Sequence, residues 1–128
     1  MTTSAHPDVL EAVTAMLTGA GMTDVVHRLP DGSDEAIVVS LATSPDPQLY
    51  YDRSSSRDYR VVVISKRESE EQAMDESFEA ARLLEDSALD SANGSYTWVS
   101  TDVSTPRSIN WDEAGFYVWS VEALVHTN

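Results

Sequence analysis

The sequence has no cysteine and very few basic residues. Among its 128 residues there are 22 Asp and Glu but only 8 Lys and Arg, which gives a formal net charge of −14. Without cysteine the chain can form no disulfide, no thiolate nucleophile and no cysteine-ligated metal site. Such an excess of carboxylates repels phosphate, so it disfavours binding of DNA or RNA through a basic face and docking on an anionic membrane.

Long hydrophobic runs and clustered glycines are also missing. No apolar run approaches the ~20 residues that a membrane-spanning helix needs. The first residues lack the basic region and the apolar stretch of a signal peptide, so we expect no membrane association. The five glycines are scattered, which excludes a phosphate-binding loop of the usual pattern. The length is that of one domain, and we assign residues 1–128 to it.

The kind of acidity is informative. Lys66 is the single lysine, the other seven basic residues are Arg, and 12 Asp stand beside 10 Glu. Replacement of surface lysine by short carboxylates is typical of proteins from salt-loving organisms, because at about 1 M salt the Debye length falls to ~3 Å and self-repulsion is screened. We therefore expect a halophilic source, with an ordinary acidic protein as the alternative.

Hydrophobic patterning predicts two helices and five strands. The predicted order is a helix at 7–19, strands at 24–29, 36–42 and 59–66, a helix ending near residue 87, and strands at 96–100 and 116–126. The first two strands, separated by the turn formers of residues 30–34, are interpreted as a hairpin or as neighbouring strands. The order α-β-β-β-α-β-β lacks βαβ regularity and predicts an α+β fold, with a mostly antiparallel sheet and both helices on one face.

The second helix and the last strand have clear local patterns. Ser69 and Gln72 form a predicted capping box at the start of the helix. Its expected buried stripe consists of Ala73, Met74, Phe78, Ala81, Leu84 and Ala88. In the last strand, alternation places Tyr117, Trp119, Val121, Ala123 and Val125 on one face and Ser120, Glu122 and His126 on the other.

Residues that could carry chemistry are scattered. The three histidines, His6, His27 and His126, have no metal-ligand spacing, and adjacent carboxylates fall on predicted helix surfaces and turns. We therefore predict no catalytic residue, no metal and no cofactor. The long connection at about 43–58 contains Tyr50, Tyr51, Asp52 and Arg53, which are residue types that anchor interfaces. These four residues either lie on their own sheet or contact a neighbouring subunit.

Several of these pieces, taken in order, resemble the bacteriophage tail terminator family, also described as tail-to-head joining or minor capsid proteins. The matching elements are Tyr51-Asp52-Arg53 before a β-branched strand, the helix segments 71–75 and 81–84, Asn93-Gly94, Thr105-Pro106, the turn with Asp112, Glu113 and Gly115, and the closing strand 121–126.

The resemblance implies a virion structural protein rather than an enzyme. It implies a ring, usually of six subunits, at the head–tail junction. The ring's partners would be further copies of the chain, the tail tube protein and the head's connector, and DNA would pass through it without specific binding. Two alternatives stay open: a head-completion or connector protein of the same neck, and a small cytoplasmic α+β domain that binds a metabolite in an apolar pocket.

Overall fold

In the described part of the chain, the computed structural model has two helices packed on one face of a six-stranded sheet. The structure describes residues 8–27, 35–42, 57–92, 94, 97–109 and 116–127. The elements are α1 (Val9–Gly19), β1 (Val25–Val26), β2 (Ala36–Ala42), β3 (Arg57–Arg67), α2 (Glu70–Asp86), β4 (Trp98–Val103), β5 (Arg107–Ile109) and β6 (Tyr117–Thr127). The predicted α+β class, with a mostly antiparallel sheet, is confirmed. The order differs from the prediction only by the additional short strand β5.

The sheet is built around the long pair β3 and β6. Its strand order is β1-β2-β3-β6-β4, and β5 also pairs with β6. All pairs are antiparallel except β1 with β2, which is parallel. The strands of a hairpin are antiparallel, so the hairpin interpretation of the first two strands was wrong and the neighbouring-strand interpretation was right.

The core lies between the sheet and the helices. Strand register aligns Val39, Val63 and Val121 across β2, β3 and β6, and all three are buried. The helices contribute Val9, Val13 and Leu17 from α1 and Ala80, Ala81 and Leu84 from α2 to the same cluster. Because successive strand residues alternate between faces, the odd-numbered positions of β2, β3 and β6 face the helices.

Helix α2 begins as predicted but buries a slightly different stripe. Ser69 accepts a hydrogen bond from the backbone N–H of Gln72, while the Gln72 side chain donates to Glu76 instead of closing the capping box. The buried residues are Ala73, Ser77, Ala80, Ala81 and Leu84. The predicted members Phe78, at 49% exposure, and Ala88 are exposed. The buried stripe instead consists mainly of small residues, which let the helix approach the sheet closely.

Strands β4 and β5 run one after the other along the same edge of β6. Residues 98–103 pair with 123–127 of β6, and residues 107–109 pair with 118–120. Pro106 cannot donate to a ladder, and it lies buried in the interruption between the two strands. Ser104 bridges the gap, because its N–H donates to the Glu122 carbonyl and its Oγ accepts from the Glu122 N–H. The connection predicted around Pro106 is therefore an interrupted edge strand.

The buried guanidinium of Arg67 links the end of β3 to α2 and to the segment before β1. Its Nε donates to Glu76 of α2 at 2.8 Å and its terminal nitrogens donate to the Asp24 carboxylate and the Thr23 carbonyl at 3.0 and 3.1 Å. The Asp24 carbonyl in turn accepts from the Ile37 N–H at 2.9 Å, next to the β1–β2 pair. Burial alone would lower the pKa of Arg67, but the hydrogen bonds to Glu76 and Asp24 outweigh it and raise the pKa.

Candidate functional site

The sheet surface opposite the helices carries an alternating set of charges. We call this the open face and define it by the residues Asp58, Arg60 and Val62 of β3, Asp102 of β4, Arg107 of β5, and Glu122, Leu124 and His126 of β6. All of these side chains are exposed or half-buried. Each charged residue of one strand stands beside an opposite charge on its neighbour, so the open face combines high charge density with little net charge.

His126 is held between two carboxylates from the strands on either side of it. Its Nδ1 lies 2.8 Å from Asp58 of β3 and its Nε2 lies 2.8 Å from Asp102 of β4. A neutral imidazole has one N–H, so both contacts are hydrogen bonds only when the ring is protonated. The hydrogen bond to Asp102 and, to a smaller extent, the one to Asp58 raise the pKa of His126. The result is a charged clamp that ties β3, β6 and β4 together.

Sequence reasoning placed His126 beside Glu122 on one face of the last strand but missed this clamp. The partners lie 68 and 24 residues away along the chain, and only the pairing of β6 with both β3 and β4 brings them together. The alternation of residues within the last strand indicated the face on which His126 lies. It does not indicate which residues of other strands lie beside it.

The clamp predicts a pH dependence of stability. Because folding raises the pKa of His126 above its ordinary value of 6.5, the stabilisation is complete below that value and is lost as pH rises through the folded-state pKa. The free energy of unfolding should therefore fall above pH 6.5 in the wild type and fall less in His126→Gln. Urea unfolding between pH 6 and 9 measures both. His27→Gln, which removes an exposed imidazole outside the clamp, is the control, and equal slopes in all three proteins would contradict the clamp.

Arg60 and Arg107 flank Glu122 on the open face. The closest nitrogen–oxygen distances are 3.9 Å from Arg60 and 3.8 Å from Arg107, longer than hydrogen bonds. A shallow depression of about 280 Å³ lies beside them, lined by Arg60, Asp102, Glu122 and Leu124 among others. It is open and charged, unlike the enclosed apolar pocket that the metabolite-binding alternative requires.

The predicted interface residues Tyr50, Tyr51, Asp52 and Arg53 lie outside the described residues, so their role in subunit contact stays a prediction. The turns at 30–34 and 112–115 and residue Asn93 also lie outside them. Within the described part of the chain, no group of three His, Cys, Asp or Glu is arranged to hold a metal ion. The two described helices are too short or too polar to cross a membrane.

Comparison with known proteins identifies the family. A family model described as bacteriophage tail terminator protein matches residues 11–128. The chain belongs to the phage tail terminator family. This match covers α1 from its third residue through β6, so it includes both layers of the fold and every residue of the open face. Tail terminators are virion structural proteins, and membership gives this chain a structural role in a virion tail.

A solved structure shares the fold of this chain. A chain from the virion of a native gene transfer agent particle superimposes with a TM-score of 0.58 at 16% sequence identity, covering 93% of this chain and 90% of that one. At this identity the likeness establishes the fold. No curated protein sequence matches the chain. The resemblance inferred from the motifs is thus confirmed at the level of family and fold.

Proposed function

We propose that this chain forms a ring, six-membered as is usual in the family, at the head-proximal end of the tail tube. There it stops tube polymerisation and presents a surface to the connector of the head. The observation that carries the proposal is the family match over residues 11–128, which spans nearly the whole chain. The ring places the protein at the head–tail junction of the virion.

The architecture supports ring assembly. A two-layer subunit has two different outer surfaces, the helix exterior and the open face, and rings form when such unlike surfaces are complementary and the rotation between copies closes. A net charge of −14 per subunit also suits a channel for DNA, because carboxylates repel phosphate and let it pass without specific binding.

Light scattering and electron microscopy of the purified chain, alone and with tail tube protein, test the proposal. We expect a concentration-dependent oligomer and rings at one end of the tube. A monomer of 14.0 kDa at every concentration and salt level, with no ring in the presence of tube, would contradict it. Binding to the connector without binding to the tube would instead indicate a head-completion protein.

The acidic surface predicts that salt stabilises the protein, as expected for a halophilic source. Lys66, the single lysine, is buried with its Nζ 4.5 Å from the centre of the Phe116 ring, so the surface carries no lysine at all. Withdrawing salt leaves the −14 charge unscreened. The melting temperature should rise between dilute buffer and about 1 M KCl, where the Debye length is ~3 Å. An unchanged melting temperature would contradict the halophilic interpretation.

A further inference from the structure

The two outer surfaces of the subunit differ strongly in charge. The exposed side of α2 carries six carboxylates, Glu70, Glu71, Asp75, Glu79, Glu85 and Asp86, and the single guanidinium of Arg82. Arg82 is already engaged by Glu79 and Asp86 of its own helix. A second subunit with the same helix in front of this one would meet like charges, so two α2 exteriors do not pair with each other.

The open face has little net charge, because its three carboxylates are balanced by two arginines and His126, and it offers those arginines as partners for the carboxylates of α2. Among the residues whose side chains are described, the exposed Lys and Arg are Arg60, Arg82 and Arg107, and two of these three stand on the open face. The side chains of Arg60 and Arg107 are 57% and 73% exposed. Because their contacts to Glu122 are longer than hydrogen bonds, both planar guanidinium groups can still bind a carboxylate through two N–H donors.

The positions of these two surfaces suit repetition around a ring. Helix α2 packs on the side of β3 and β6 formed by odd-numbered residues, and the open face consists of even-numbered residues of the same strands together with Asp102 of β4 and Arg107 of β5, which pair with even-numbered positions of β6. The acidic surface and the arginine-bearing surface therefore lie on opposite sides of one subunit. A contact between them joins copies head to tail, which is the arrangement that closes into a ring.

We propose that the acidic exterior of α2 in one copy docks on the open face of the next copy, with Arg60 and Arg107 as its ion-pair partners. This inference rests on the proposed ring and identifies the surfaces that form it. Half-buried Val62 and Leu124 supply apolar area between the charges. A second copy is favoured over nucleic acid because the chain as a whole repels phosphate, whereas its own α2 offers carboxylates at equal stoichiometry.

Charge reversal on each surface tests the contact. Arg60→Glu with Arg107→Glu, and separately Glu71→Arg with Asp75→Arg, should each raise the dissociation constant for self-association by more than about tenfold. The four substitutions in one chain should restore association, because the reversed surfaces are again complementary. Sedimentation velocity measures the constants, and circular dichroism checks that each variant is folded.

The double variant Glu71→Arg with Asp75→Arg separates the proposed contact from an effect of net charge alone. Glu71→Arg with Asp75→Arg reduces the net negative charge and would strengthen association if only overall repulsion mattered. Glu11→Arg with Asp90→Arg makes the same change at exposed positions outside both surfaces and is the matched control. It should associate at least as well as the wild type.

The possible failures are distinguishable. If the wild type forms rings and both reversed pairs associate as tightly as it does, the docking mode is wrong and the ring stands. If the quadruple variant associates no better than the pairs while all remain folded, the two surfaces do not meet. If the wild type never associates, the proposed ring itself fails.

Discussion

Replacing Arg67 with alanine should lower the free energy of unfolding by about 3–5 kcal/mol, the range measured when one partner of a buried ion pair is removed. The Arg67 side chain is 2% exposed and its partner Glu76 is 17% exposed, so the substitution leaves a largely buried carboxylate without its cation. Ser65 still donates a hydrogen bond to the same Glu76 oxygen at 2.6 Å, but a neutral hydroxyl only partly offsets the loss of the cation. Domains of this size are stable by about 5–15 kcal/mol, so the loss is a large share of the total.

Urea unfolding at pH 7 measures the effect, and two variants make it specific. Arg67→Lys should recover little, because an ammonium group cannot reach Glu76, Asp24 and the Thr23 carbonyl together in the geometry of a guanidinium. Arg82→Ala removes an exposed arginine that pairs within α2, and it should leave the unfolding midpoint nearly unchanged. Equal losses of unfolding free energy for Arg67→Ala and Arg82→Ala would show that the buried network does not stabilise the packing of β3 against α2 and the segment before β1.

Shortening Leu84 to alanine should cost about 2–5 kcal/mol, the usual range for a fully buried leucine. Leu84 is 0% exposed and lies in the core cluster with Val61 and Val121, on the side of α2 lined by alanines. Alanines have no flexible side chain to move into the space, so the cavity should persist. The neighbouring Leu83 is only partly buried, and Leu83→Ala should lose clearly less stability.

The same denaturation series decides this prediction. The urea midpoint of Leu84→Ala should fall with an unchanged slope, since the change removes packing without altering the denatured state. A loss for Leu83→Ala equal to or greater than that for Leu84→Ala would place the core on a different side of the helix.

Local patterns predicted the elements better than the contacts between them. The strand predicted at 36–42 has the observed bounds, and the Ser69 cap predicted the start of α2, because β-branched runs and capping residues act within a few positions. The parallel pairing of β1 was missed, since this two-residue strand is placed by Arg67 reaching back to Asp24 across 43 residues. Strand β5 was missed because Pro106 marks a break, and the Ser104 side chain that bridges it cannot be read from spacing.

For the candidate site, too, local patterns were informative and contacts between strands were not. The motifs predicted the family, while the open face depends on four strands pairing in the observed order. Among the described residues, acids crowd the exterior of α2 and mix with Arg60, Arg107 and His126 on the open face. Salt adaptation alone predicts no such difference between surfaces. The −14 charge therefore has a spatial pattern that overall composition did not reveal, and that pattern is what the proposed docking uses.

Growth of the tail tube in the presence of this chain tests whether the chain terminates the tube. Purified tube protein of the same virus is polymerised with and without the chain in molar salt, and tube lengths and ends are recorded by electron microscopy. We expect a ring at one end of each tube and arrested growth at that end. Tubes that elongate at both ends at an unchanged rate, beside a folded and self-associated chain, would contradict it.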